Sequence, residues 1–218
     1  MLYLKGFSKN YLKLLLAFSG AYLFALTVLH LIPEVYAGND SRIGWFILAG
    51  FFLQILLETF SEGIEHGHIH IHKHHSSSFP LALMAGLSLH SFLEGMPLVE
   101  RLNKDSFFPL FGGIVLHHIP VAMALVGMLM DSGLSKKVTL VMLAAFCLMA
   151  PLGSIFSNLL SVFTGQDLGM YFNRMMGVVI GIFLHISTTI LFESYEEHRF
   201  NYYKLITILL GAGVAIIV

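Results

Sequence analysis

Apolar runs of about 20 residues, broken by short polar connectors, set the pattern of this chain. A bilayer core needs about 20 apolar residues per helix. Seven segments meet or approach that length: 12–36, 43–62, 80–99, 107–130, 137–160, 171–193 and 203–218. The connectors AGNDSR, VERLNKDS, MDSGLSKK and FTGQDLG carry the Gly, Asn, Asp and Ser typical of turns. The runs are too long and continuous for barrel strands. The pattern predicts an all-α, polytopic transmembrane bundle of about seven helices, with residues 1–218 as one domain.

Composition agrees. The 218 residues are 56% hydrophobic and only 11% charged, against roughly 25% charged in a soluble domain, and the mean hydropathy is +0.79. The net charge of -1 and the lack of a basic patch with interleaved aromatics give no nucleic-acid partner. The single cysteine, Cys147, excludes an internal disulfide framework and a CxxC metal site. The start is lysine-bearing and runs into a full-length apolar segment, so no removable signal peptide is read.

Charge also orients the chain. Lys5, Lys9, Lys13, Lys73, Lys136, Lys137, Arg199 and Lys204 fall on one side, and Arg42, Arg101, Lys104 and Arg174 on the other. The first side is therefore expected in the cytoplasm, with the N-terminus and the loop at 63–79. Such helices belong in a plasma-type or inner membrane rather than a bacterial outer membrane.

Two apolar segments carry groups that hydrocarbon does not tolerate unpaired. LHSFLEG holds His90 and Glu94, and LHHIPVA holds His117, His118 and Pro120. An ionisable group at bilayer depth costs at least about 2.5 kcal/mol. His90 and Glu94 are four apart and share a helix face. Imidazole nitrogen and carboxylate oxygen suit zinc and other first-row divalent ions. His117 can join from the second helix. His118 points about 100° away and joins only if Pro120 distorts the helix. The bland alternative is a His–Glu network gluing two helices. Ser91 is a weak supporting donor, and Gly86, Ser88, Gly112 and Gly113 flatten the faces nearby.

Other polar groups recur along the chain. His30 and Glu34, in LHLIPE around Pro33, form a second HxxxE pair near the outer end of the first helix, either an approach site for ions or an interfacial cap. Gln54, Glu58 and Glu62 repeat every four residues, giving a stripe toward the inner face that reads as an ion route or as helix contacts. The loop EHGHIHIHKHH holds Glu65 and six of the 12 histidines (His66, His68, His70, His72, His74 and His75), a metal-collecting composition without defined geometry. His185 lies mid-span before Ser187, Thr188 and Thr189, where a bond to a nearby carbonyl or hydroxyl is as reasonable as a ligand role. His198 reads as solvated, Ser154 and Asn158 as cross-bundle donors, and the 11 methionines as packing. Neither GxxxxGK[ST] nor GxGxxG occurs, so no nucleotide site is read, and HExxH is absent too.

LHLIPE, the His-rich loop, LHSFLEG and LHHIP, in that order, resemble the ZIP family of zinc and iron transporters. The resemblance implies eight helices with both ends outside, a cytoplasmic His-rich loop, metal movement into the cytoplasm and often a homodimer. The segment with LHLIPE corresponds to the family's second helix. No counterpart of the first is seen, which leaves seven helices and an inner N-terminus.

The resemblance also implies roles. His90 and Glu94 take the metal positions of the fourth helix, with Ser91 where Asn is usual. His117 and Pro120 fit the fifth-helix motif, His118 stands where an acidic residue is usual, and Val121 and Ala122 replace His and Glu. A bridging ligand is thus missing, and a single-metal centre follows.

One carboxylate with neutral imidazoles leaves a divalent ion at about +1, so carbonyls or waters must help it. Protons compete with the ion for imidazole near about pH 6–7. The expected function is a zinc-preferring divalent metal transporter, with iron(II), manganese and cadmium as further ions and no enzymatic activity. The rivals are a membrane metal sensor that binds without transport and an intramembrane zinc hydrolase.

Overall fold

In the computed structural model the apolar runs become helices and the polar connectors become turns. The structure describes residues 9–61, 64, 79–99, 104–164, 169–193 and 202–218. The first rod is built from α1 (Lys9–Leu26), a π-helical turn (Thr27–Leu31) and α2 (Ile32–Ala37). Six more helices follow: α3 (Ile43–Ser61), α4 (Phe79–Gly95), α5 (Lys104–Asp131), α6 (Lys136–Thr164), α7 (Gly169–Glu193) and α8 (Tyr202–Ile217). No strand occurs among the described residues. The protein is a multi-pass membrane protein: five rods are long and apolar enough to cross a bilayer on their own. With 17 and 16 residues, α4 and α8 are shorter than a full span.

Local chemistry explains the boundaries. Segment 80–99 stops being helical at Gly95, because Pro97 disfavours helix at Met96 and cannot donate a helical bond. Residues 96–99 instead turn back into the protein and are buried. The α5–α6 turn closes with Leu134 N–H on Leu129 O, and Gly133 holds the left-handed conformation (φ 80°) that such a cap requires. Pro33 has no N–H and would crowd the Leu29 carbonyl in a regular helix. The rod widens there, and Ile32 N–H reaches back to Thr27 O.

Two bodies emerge from the packing. α3 lies most extensively on α7, α1 lies on α8 and also on α7, and α4 lies on α6. Glycines bring these pairs into backbone contact. A methyl group at Gly50 would collide with the Val178 carbonyl, and one at Gly181 with the Ile47 carbonyl. On the other body, Gly95 meets the Ala150 carbonyl and Gly153 the Phe92 carbonyl in the same way. Small residues permit such approach where no hydrophobic force drives helices together in lipid.

Between the bodies the contact is looser. Gly113 of α5 faces side-chain atoms of Tyr22 and Leu23, and a Cβ on Gly86 of α4 would stand 3.2 Å from Leu57 O of α3. We therefore describe a body of α1, α3, α7 and α8 and a second body of α4 and α6, with α3 against α4, and with α5 packed more on α1 than on α6.

The core divides at mid-height. One apolar cluster contains Leu83, Leu87, Leu125, Phe146 and Ile186. The other contains Leu26, Leu110, Ile114, Ile180 and Phe183. Along α4 and α5, the residues between the two clusters are His90, Glu94 and His117.

Candidate metal centre

Helical spacing on α4 puts His90 and Glu94 on one face, with His90 Nε2 3.2 Å from Glu94 Oε1. α5 supplies His117 and His118 from the neighbouring rod, which runs through Pro109 and Pro120 as one helix. His90, Glu94 and His117 are fully buried, and one ligand atom from each lies within 4.8 Å of the other two. Of the described residues, these three form the group able to hold a metal ion.

His118 behaves differently from its neighbour. Its Nε2 donates to Glu94 Oε2 at 2.7 Å. The three imidazole rings stand 6.2–6.4 Å apart, centre to centre, around the carboxylate. Adjacent residues on one helix thus both turn toward Glu94, with His118 resting on the Phe146 ring at 5.3 Å. Glu94 is the hub: one oxygen faces His90 and the other accepts from His118.

The other side of His90 is also set. Its Nδ1 lies 3.0 Å from Gln54 Oε1 on α3. An amide oxygen only accepts, so Nδ1 donates to it. With a neutral imidazole the Nε2 lone pair faces Glu94 Oε1, and a cation, a proton or a metal ion, fits between the two atoms at 3.2 Å. That spacing matches the edge of a tetrahedral zinc shell, about 3.3 Å for bonds of about 2.0–2.1 Å. Ser91 Oγ is buried next to His90 without a hydrogen-bond partner among the described residues. His90, Glu94 and His117 are all closed off from solvent.

The remaining polar residues go elsewhere. His30 Nε2 lies 3.0 Å from Ala215 O, so it joins the first rod to α8, and Glu34 Oε2 is buried with no hydrogen-bond partner among the described residues. Neither belongs to the three-ligand group. The stripe on α3 splits: Gln54 serves His90, while Glu58 Oε2 accepts from His185 Nε2 at 2.7 Å. A carboxylate across the bundle is therefore a partner of His185, and Thr188 and Thr189 bond back to the carbonyls of α7. Ser154 donates to Leu98 O on its own body, and Asn158 to Ser154 O. Val121 lies in the apolar core, so no ligand replaces it from that position. Glu62, Glu65, the six loop histidines and His198 lie outside the described residues.

Sequence reasoning missed the Gln54–His90 bond and the Glu58–His185 pair. The four-residue repeat on α3 marked the face but could not name partners 36 and 127 residues away.

Near the α2–α3 connection, Arg174 Nε donates to Asp40 Oδ2 at 2.8 Å, and Asn173 to Val35 O. The Arg174 hydrogen bond, with help from the Arg42 backbone N–H, holds the Asp40 carboxyl below the usual aspartate range.

A family model described as ZIP Zinc transporter matches residues 80–218, which include Glu94 and the three histidines around it. No curated protein and no solved structure matches the chain.

Proposed function

Since the chain belongs to the ZIP zinc transporter family, we propose that it carries zinc, in preference to other divalent ions, through a mononuclear centre of His90, Glu94 and His117. The family consists of transporters, not enzymes, so the hydrolase reading falls away. The observation that carries the proposal is the buried His–Glu–His group at the mid-height division of the core. His118 tunes the centre through Glu94 and replaces it as a reserve ligand when the ion shifts. Imidazole nitrogens favour zinc, while iron(II), manganese and cadmium are the competing cargo.

Movement is read from the packing of the ligand helices. α4 holds His90 and Glu94 and α5 holds His117, so sliding or rocking these two helices against α3 and α1 carries the whole centre at once. His30 and Glu34 receive the ion on its outer approach, with the buried Glu34 oxygen as the attracting group. Glu58 and His185 form an inner station on the way to the His-rich loop.

The charge bias supports a cytoplasmic N-terminus and loop, with the ion moving inward through a plasma-type membrane. The domain spans residues 1–218 and works as a homodimer, with no nucleic-acid or nucleotide partner.

A second reading, binding without flux, has one observation in its favour: Val121 is core where the family's motif carries a ligand. Uptake into proteoliposomes with a trapped metal indicator separates the two. The proposal expects saturable zinc uptake, ahead of iron(II), manganese and cadmium, that disappears in Glu94→Ala. Tight zinc binding with no uptake establishes the second reading.

A further inference from the structure

We infer that Gln54 is a positioning residue for the metal centre, acting through His90 from the opposite helical body. The inference rests on the metal-site reading above and deepens it.

Gln54 lies on α3 and is fully buried, yet its amide nitrogen has no hydrogen-bond partner among the described residues. A leucine would fill similar volume without that unsatisfied donor, so packing does not explain an amide here. Its oxygen does have work: it accepts the Nδ1 proton of His90 at 3.0 Å. Remove that acceptor, and the imidazole proton can sit on Nε2 instead. There it would hydrogen-bond to Glu94 Oε1, 3.2 Å away, and close the space between the two ligand atoms. Gln54 therefore suppresses a His90–Glu94 hydrogen bond that competes with the ion. It keeps a lone pair facing the ion in the way that partners of metal-bound histidines commonly do.

Position gives this bond a second consequence. His90 stands on α4 and Gln54 on α3, two helices packed side by side. The bond exists only while His90 stands level with Gln54. Displacement of α4 along α3 breaks it, the Nε2 tautomer becomes available, and the centre loses affinity. Tight holding in the occluded state and release after movement then follow from one hydrogen bond between α3 and α4.

The test is zinc affinity, measured by competition against a chelating indicator on the full chain in lipid nanodiscs, for wild type, Gln54→Leu, Gln54→Glu and His90→Ala. Loss of such a supporting partner weakens metal binding about 10–100-fold, and that loss is expected for Gln54→Leu. Gln54→Glu keeps the shape and the acceptor oxygen, and it is expected to restore wild-type affinity or exceed it. Equal losses in Gln54→Leu and Gln54→Glu would reduce Gln54 to packing and overturn the inference. So would wild-type affinity in Gln54→Leu alongside lost binding in His90→Ala. Wild type showing no more zinc binding than His90→Ala overturns the metal-site reading itself, and this inference with it.

Discussion

His90–Glu94 and His30–Glu34 share the HxxxE spacing but end in different chemistry. On α4 the helix is regular, and the two side chains face each other at 3.2 Å with histidines of a second helix closing around them. In the first rod Pro33 forces a π-helical turn between regular segments, and His30 sits inside it. Its imidazole meets the Ala215 carbonyl of α8 instead of a ligand partner. Spacing alone thus predicts a shared face, whereas a metal centre needs a second element that brings further donors to the same point. α5 does this for Glu94; nothing described does it for Glu34.

The largest effect expected to sharpen that contrast belongs to Glu94→Ala. It removes the one carboxylate of the group and leaves His90 and His118 without their shared partner. Zinc affinity is expected to fall by more than the roughly 100-fold at the top of the range for supporting residues, as read by equilibrium zinc binding. Next come the adjacent histidines, which separate a ligand from a helper. His117→Ala is expected to approach the Glu94→Ala loss. His118→Ala, which removes the hydrogen bond to Glu94 Oε2, is expected to cost about 10–100-fold in the same assay.

His30→Ala breaks the comparison from the other side. Its zinc affinity is expected to stay within about twofold of wild type, while loss of the bond to Ala215 O lowers stability by about 1 kcal/mol in a denaturant titration. An equal fall in affinity for His30→Ala and His117→Ala would mean that the two HxxxE pairs are not functionally distinct.

The smallest effect concerns the Arg174–Asp40 clamp and its pH dependence. Arg174 and the Arg42 backbone hold Asp40 below the usual aspartate range. A carboxyl depressed in the folded state stabilises it above the unfolded value, about 3.9. That stabilisation is lost as pH falls through the folded value. Melting of Arg174→Ala should therefore lie slightly below wild type at neutral pH, with the gap closing below about pH 4. A gap that widens on acidification contradicts this assignment.

Much of this was legible from the chain. Long apolar runs gave the helices, since nothing but a helix satisfies that much backbone in lipid. The intramembrane His90, Glu94 and His117 marked a buried cluster, because such groups need partners. Spacing could not show that the run at 80–99 ends its helix at Gly95, where a close approach to α6 and Pro97 decide the boundary. The π-helical turn at Thr27–Leu31 was equally hidden, being the relief of one proline clash. His118 was expected to need distortion to reach inward, and it reaches Glu94 by approaching the oxygen that His90 does not face. Gln54 and Glu58 were visible as a stripe, but their partners His90 and His185 depend on how α3 packs against α4 and α7, which periodicity does not encode.

The central claim is that one divalent ion is held by His90, Glu94 and His117. It is tested most directly by zinc stoichiometry and affinity in purified wild type, His90→Ala/Glu94→Ala and His30→Ala/Glu34→Ala, with the His-rich loop replaced by a Gly/Ser linker in all three. The account predicts one tightly held zinc per chain in wild type and in the His30/Glu34 variant, and none in the His90/Glu94 variant. Tight zinc retained by the His90/Glu94 variant, or lost only from the His30/Glu34 variant, would contradict it.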